Sequence, residues 1–211
     1  MTIYVGIDLS GPSNTKETSI ALFKGDDSHL TFQQIVNGVT DEEIYELLQE
    51  QTDSVVIGID APLSYQPGGG DRKADRALRK EIIAKGMKSG SIMTPTMTRM
   101  VYLTLRGITL SRGLSTTTSA SIVEVHPGAA VGLRSPDLSS VLTYKLEIDP
   151  RHNLKAFLEK DGVKDIPTDV LQSSHSFDAC LAAYAAWKWK QDKSEFLYPA
   201  EPPFHPFPVS C

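Results

Sequence analysis

Two short apolar runs end in an aspartate: Ile3-Tyr-Val-Gly-Ile-Asp8 and Val55-Val-Ile-Gly-Ile-Asp60. A carboxylate that closes a buried strand is costly unless a counter-charge meets it. In open α/β sheets the carboxyl ends of neighbouring strands are where ligands collect. Hard divalent cations take oxygen donors, so the pair reads as part of a magnesium or manganese site. Glu124, ending Ser121-Ile-Val-Glu124, and Asp178, in His175-Ser-Phe-Asp178-Ala-Cys-Leu-Ala-Ala, are two further acids in apolar settings. Phosphodiester hydrolysis by two such ions about 4 Å apart needs several carboxylates from different elements. The expected ligands are therefore Asp8, Asp60, Glu124 and Asp178, holding two ions. Capping is the competing use for Asp8, Asp60 and Asp178, and the alternation of Ile122-Val-Glu-Val-His126 leaves Glu124 the option of facing away. His175, one helical turn before Asp178, is placed to orient that carboxylate, to ligate metal or to take a proton from an attacking water.

Arg72, Arg76 and Arg79 share one face of an expected helix, and guanidinium forks match phosphate oxygens in pairs. A phosphate-holding role is expected, with salt bridges to Asp75 or Glu81 as the competing use. These arginines belong to a basic segment: residues 71–112 hold ten Lys and Arg against three acids, although the whole chain carries −5. The segment is thus +7 and the remainder −12, a segregation that steers an anionic partner toward one region. Nucleic acid, DNA or RNA, is the expected substrate, and a solvated pair of helices is the alternative reading. Ser115-Thr-Thr-Thr-Ser119 reads as a loop without chemistry. Trp187, Trp189 and Tyr184 read as packing residues, and Cys180 as a buried, inert thiol.

With 211 residues and 40% apolar content, the chain can bury one substantial core. A single domain over residues 1–198 is expected. The tail over 199–211 holds five prolines and is expected to lie extended on the surface. The start Met1-Thr-Ile-Tyr-Val lacks the basic flank and apolar core of a signal peptide, and no apolar run approaches the roughly 18 residues of a membrane helix. Cys180 and Cys211 form neither a metal-ligand spacing nor a disulfide framework. A reducing, cytoplasmic setting is expected, with no membrane partner.

Residues 2–9, 17–23 and 29–36 read as strands joined by connections short enough for antiparallel neighbours. Thr40-Asp-Glu-Glu43 is a capping box that opens a helix to about residue 51. The near-continuous apolar run 54–59 is the pattern of a strand buried on both faces. Helices are expected over 71–84, 98–110, 151–160 and 175–190, and a fifth strand over 120–126, stopped by Pro127. In the last helix Asp178, Ala182 and Ala185 share a stripe whose small residues permit close approach to a sheet. The element order reproduces the ribonuclease H-like plan. That plan is a mixed five-stranded sheet of order 3-2-1-4-5, with strands 1–3 antiparallel, flanked by helices. It makes strands 1 and 4 neighbours, so Asp8 and Asp60 meet where the connections change direction.

Five ordered motifs span Tyr4 to about Trp187: Gly6-Ile-Asp8, Ile59-Asp60-Ala-Pro62-Leu, Arg72-x-x-Asp75-x-x-x-Arg79, Glu124-Val-His-Pro127 and Asp178-Ala-x-x-Ala-x-x-Ala. Together they resemble the family called domain of unknown function 429, described as a predicted nuclease with a ribonuclease H fold. The resemblance implies nuclease activity only through the fold. His175-x-x-Asp178-Ala also resembles the last-helix motif of the Holliday-junction resolvase group, in which such residues bind metal and assist water. The chain departs from the family pattern at Gly128, where an acid is expected after Pro127, and in an enlarged first hairpin from Ser10 to Thr18, which reshapes access beside Asp8. Two other functions share the strand plan: a phosphotransferase of the actin-like and sugar-kinase group, and a noncatalytic nucleic-acid binder or scaffold. The first requires two such domains and a second Asp-x-Gly phosphate loop, which this sequence does not show.

Overall fold

A computed structural model describes residues 1–51 and 53–211. The chain opens with β1 (Thr2–Asp8), β2 (Ser19–Gly25) and β3 (Leu30–Asn37), paired antiparallel in turn. Helix α1 (Asp41–Gln49) follows. Its capping box is formed, with the Thr40 side chain accepting from the Glu43 amide and the Glu43 carboxylate accepting from Thr40. The chain then crosses over to β4 (Ser54–Asp60), which lies parallel to β1. After α2 (Lys73–Ala84) and α3 (Met100–Thr117), β5 (Ser121–Val125) joins parallel to β4. Next come α4 (Pro127–Gly132), α5 (Leu138–Thr143), α6 (Ile148–Lys160), β6 (Val163–Lys164) and α7 (Ser174–Lys190), and finally β7 (Leu197–Tyr198) and β8 (Val209–Ser210).

The result is an α/β architecture around one mixed sheet of order β6-β3-β2-β1-β4-β5-β8-β7. The expected order 3-2-1-4-5 occupies its centre, but among the described residues the sheet has eight strands rather than five. The additions are two-residue strands, too short to leave a periodic signal. One of them, β8, lies in the proline-rich end, which is not merely draped on the surface: β8 pairs with β5, the Pro208 carbonyl accepts from the Glu124 amide, and Cys211 is fully buried. Prolines remove donors but leave carbonyls, and Val209–Cys211 carry none.

Period-two alternation divides the core. Tyr4, Val56, Val123 and Val125 face one layer, where α7 crosses the sheet with α6 beside it. Ile3, Val5, Ile7, Ile57, Ile59 and Ile122 face the other, covered by Ile44 and Leu48 of α1 and Leu110 and Leu114 of α3. Helix α3 runs a further seven residues past Leu110, into the hydroxyl run expected to be a loop. There Ser115, Thr116 and Thr117 donate back to the carbonyls of Arg112 and Gly113, which satisfies their hydroxyls inside a helical turn.

Candidate metal centre

Gly6 and Gly58 stand opposite each other in β1 and β4. A Cβ at Gly6 would come within 1.9 Å of the Ala179 carbonyl oxygen, and one at Gly58 within 2.5 Å of that of Ala182. No side chain fits at either position, so α7 rests on the strand backbones. Residues two further on point to the same face, which aims Asp8 and Asp60 toward the start of α7. Asp178 immediately precedes Ala179 and lies one turn before Ala182, so the contact that seats the helix also sets its carboxylate over the other two. One oxygen from each of Asp8, Asp60 and Asp178 lies within 4.8 Å of the others.

The rim of this cluster is partly neutralised. The Nδ1 of His175 is 2.7 Å from Asp8 Oδ2, and its Nε2 is 3.8 Å from Glu17. An ionised carboxylate only accepts, so Nδ1 carries the proton. Tyr144 donates to Asp178 Oδ1 at 2.7 Å, and the Lys145 ammonium is 2.8 Å from Asp178 Oδ2. Burial pushes Asp60 up to about 7, with the Asp8 and Asp178 charges adding to the rise and Lys145 opposing it. Burial raises Asp8 as well, against the hydrogen bond from His175. That hydrogen bond in turn lifts His175 above the ordinary imidazole value. Burial would lower Lys145, but the charges of Asp178 and Asp60 outweigh it and the net direction is up. Three acids so close, with one lysine and one histidine at the edge, form a set of hard oxygen donors short of positive charge, which is the chemistry a divalent cation fits.

Glu124 is not part of this set. It pairs with Ile59, whose side chain faces the α1/α3 layer, so alternation points Glu124 to the opposite face from Asp60. There it is fully buried and accepts from both terminal nitrogens of Arg72, at 2.7 and 2.5 Å, and from the Leu63 amide at 2.8 Å. Arg72 also grips Asp75 and donates to Ser64. Burial alone would raise Glu124, but the guanidinium holds it down at about 2. Glu124 therefore anchors the Ala61–Ser64 segment that follows Asp60. The expected assignment of Glu124 as a fourth ligand is corrected accordingly.

The arginine stripe divides in the same way. Arg72 is the buried residue just before α2, not a phosphate holder; Arg79 is paired with the Asp71 carboxylate at 2.5 Å; Arg76 donates to the Asp71 carbonyl and stays exposed. Local acids outcompete a solvent-borne anion for the first two. The sequence reading missed Tyr144 and Lys145, which belong to no periodic or motif pattern, and Ser64, whose role depends on a tertiary contact.

Two concavities meet at the acids. One, of about 260 Å³, is lined by Asp60, Lys88, His126, Tyr144 and Lys145. The other, of about 800 Å³, is lined by the Ser10–Glu17 hairpin, the start of α3, Asp8 and His175. Arg106 of α3 holds that hairpin by donating to the Ser10 carbonyl and Thr18 hydroxyl while pairing with Asp41.

Among known families, the model described as "Protein of unknown function (DUF429)" matches residues 6–202. The chain belongs to this family. The DUF429 match takes in both acid clusters, from Asp8 through Arg72 and Glu124 to Asp178. Searches of curated proteins and of solved structures returned no match. Among the described residues, no helix is long and apolar enough to cross a membrane.

Proposed function

We propose that this DUF429 protein is a ribonuclease H-like, magnesium- or manganese-dependent nuclease that hydrolyses phosphodiester bonds of DNA or RNA at Asp8, Asp60 and Asp178. The observation that carries the reading is the convergence of three carboxylates from three separate elements to within 4.8 Å at the carboxyl end of a mixed sheet. Asp8 and Asp60 lie side by side and offer two oxygens each, which suits a pair of cations. Bound there, such ions supply Lewis-acid stabilisation of a phosphoryl group and acidify a water.

The chain's own residues have separate tasks. His175 donates through Nδ1 to Asp8 and orients it, leaving Nε2 to accept a proton from water. Tyr144 and Lys145 fix Asp178 from the other side. Lys88, Lys145 and Arg99, which line the two concavities, replace Arg72 and Arg79 as the cations within reach of a phosphate backbone.

The test is a manganese-dependent cleavage screen over single-stranded, duplex, hybrid and branched substrates, run with calorimetric manganese titration and with Asp8→Asn and Asp60→Asn. Both variants should lose cation binding and cleavage together. Equal rates in parent and variants would overturn the nuclease reading. Magnesium-dependent protection by nucleotide against heating, without cleavage, would instead favour a phosphotransferase.

A further inference from the structure

Exposed apolar side chains gather along one stretch of the chain. Met93, Met97, Tyr102 and Leu105 are 41%, 46%, 59% and 53% exposed, an arrangement that packing does not explain and that marks contact surfaces. Met93 and Tyr102 line the larger cleft, together with Met100 and Leu103. At its lip Thr98 is held at φ +45°, a left-handed backbone that a β-branched residue rarely adopts. Asp8 and His175 also line the cleft, so whatever fills it reaches the acid cluster.

The charge of the lining selects the occupant. Arg99 is the one permanent cation among the lining residues, beside His175 already engaged with Asp8, against Asp8 and Glu17, so a run of phosphates finds little to neutralise it inside. A planar, largely apolar group with polar edges matches this lining better, with Tyr102, Met93, Met100 and Leu103 for its faces and Ser10 and Asn14 for its edges. The volume of about 800 Å³ falls in the range of roughly 300–1,000 Å³ that suits a small organic group. A nucleobase has those properties, and within a duplex its faces are stacked and its edges paired, so it enters a side cleft only when unpaired.

Resting on the nuclease reading above, we infer that this cleft takes an unpaired base next to the scissile phosphate. Tyr102 is the stacking surface and Arg99 contacts the neighbouring phosphate, so the substrate is single-stranded. The enlarged first hairpin supplies the wall that makes the cleft.

The test is fluorescence anisotropy in manganese with a hydrolysis-resistant, labelled oligothymidine and its duplex with oligoadenosine, on the parent, Tyr102→Ala and Tyr102→Phe, beside calorimetric manganese titration of each. The single strand should bind about tenfold more tightly than the duplex. Tyr102→Ala should weaken it roughly 5- to 100-fold, the range of one lost stacking contact, and Tyr102→Phe should retain it, with manganese binding unchanged in both. Equal affinity for strand and duplex, or an unaffected Tyr102→Ala, overturns the cleft assignment while leaving the metal centre standing. Absence of manganese binding in the parent removes the nuclease reading, and the cleft assignment falls with it.

Discussion

Asp60 and Glu124 end neighbouring parallel strands, are both largely withdrawn from water, and meet opposite electrostatic fates. Glu124 shares its pocket with the Arg72 guanidinium, whose terminal nitrogens reach it and whose fork also takes up Asp75. Asp60 shares its pocket with two more aspartates, and the cation that opposes its rise most is Lys145, which reaches in from a turn and pairs with Asp178. One carboxylate is held at about 2 and the other pushed to about 7. A buried acid whose counter-charge is built into the fold serves the fold. A buried acid cluster short of counter-charge is held at the fold's expense, and that is where a cation from solution has most to contribute.

The contrast is sharpest when each cluster loses one member. Arg72→Met leaves two buried acids without a partner and should destabilise the protein by about 3–5 kcal/mol, measured by urea unfolding. A loss below 1 kcal/mol would mean that Glu124 and Asp75 are solvated and the structural role is misassigned.

Acid should act on the same network. The folded value of Glu124 lies below its ordinary 4.5, at about 2. Its stabilising contribution is therefore complete above about 4.5 and is lost as pH falls toward 2. Thermal midpoints followed from pH 6 to pH 2 should fall more steeply for the parent than for Glu124→Gln. Parallel curves would contradict the assignment.

For the open cluster the sign reverses. In chelator, Asp60→Asn removes repulsion among three acids and should raise stability by roughly 1 kcal/mol, while abolishing any manganese-induced rise in Tm. A variant that is destabilised and still responds to manganese would place the cation elsewhere. The smallest effect belongs to Lys145→Gln. Its side chain is more than half exposed, so solvent screens it, and its removal should tighten manganese binding by only about threefold, read by calorimetry.

Much of the frame was legible along the chain. Five strands, the capping box at Thr40 and the long last helix follow from local periodicity and capping chemistry, and the DUF429 membership expected from five motifs holds over residues 6–202. The three aspartates were legible because each stands out against an apolar neighbourhood. Glu124 stood out in the same way and was misassigned. Alternation says that a strand residue has a face, and only the register with Ile59 says which. The strands β6, β7 and β8 were invisible because two residues carry no period.

By itself, then, the sequence determined which residues are apolar, which acids interrupt them, where helices begin, and that Gly6, Gly58 and the alanines of α7 are small enough for helix and sheet to touch. The tertiary structure decided which charges neutralise one another. Arg72 finds Glu124 across 52 residues of chain, and Lys145 and Tyr144 find Asp178 from a loop without any motif. Pairing depends on separations in space, because the Coulomb attraction weakens as charges move apart and is strong in a low-dielectric interior, and no spacing along the chain encodes those separations.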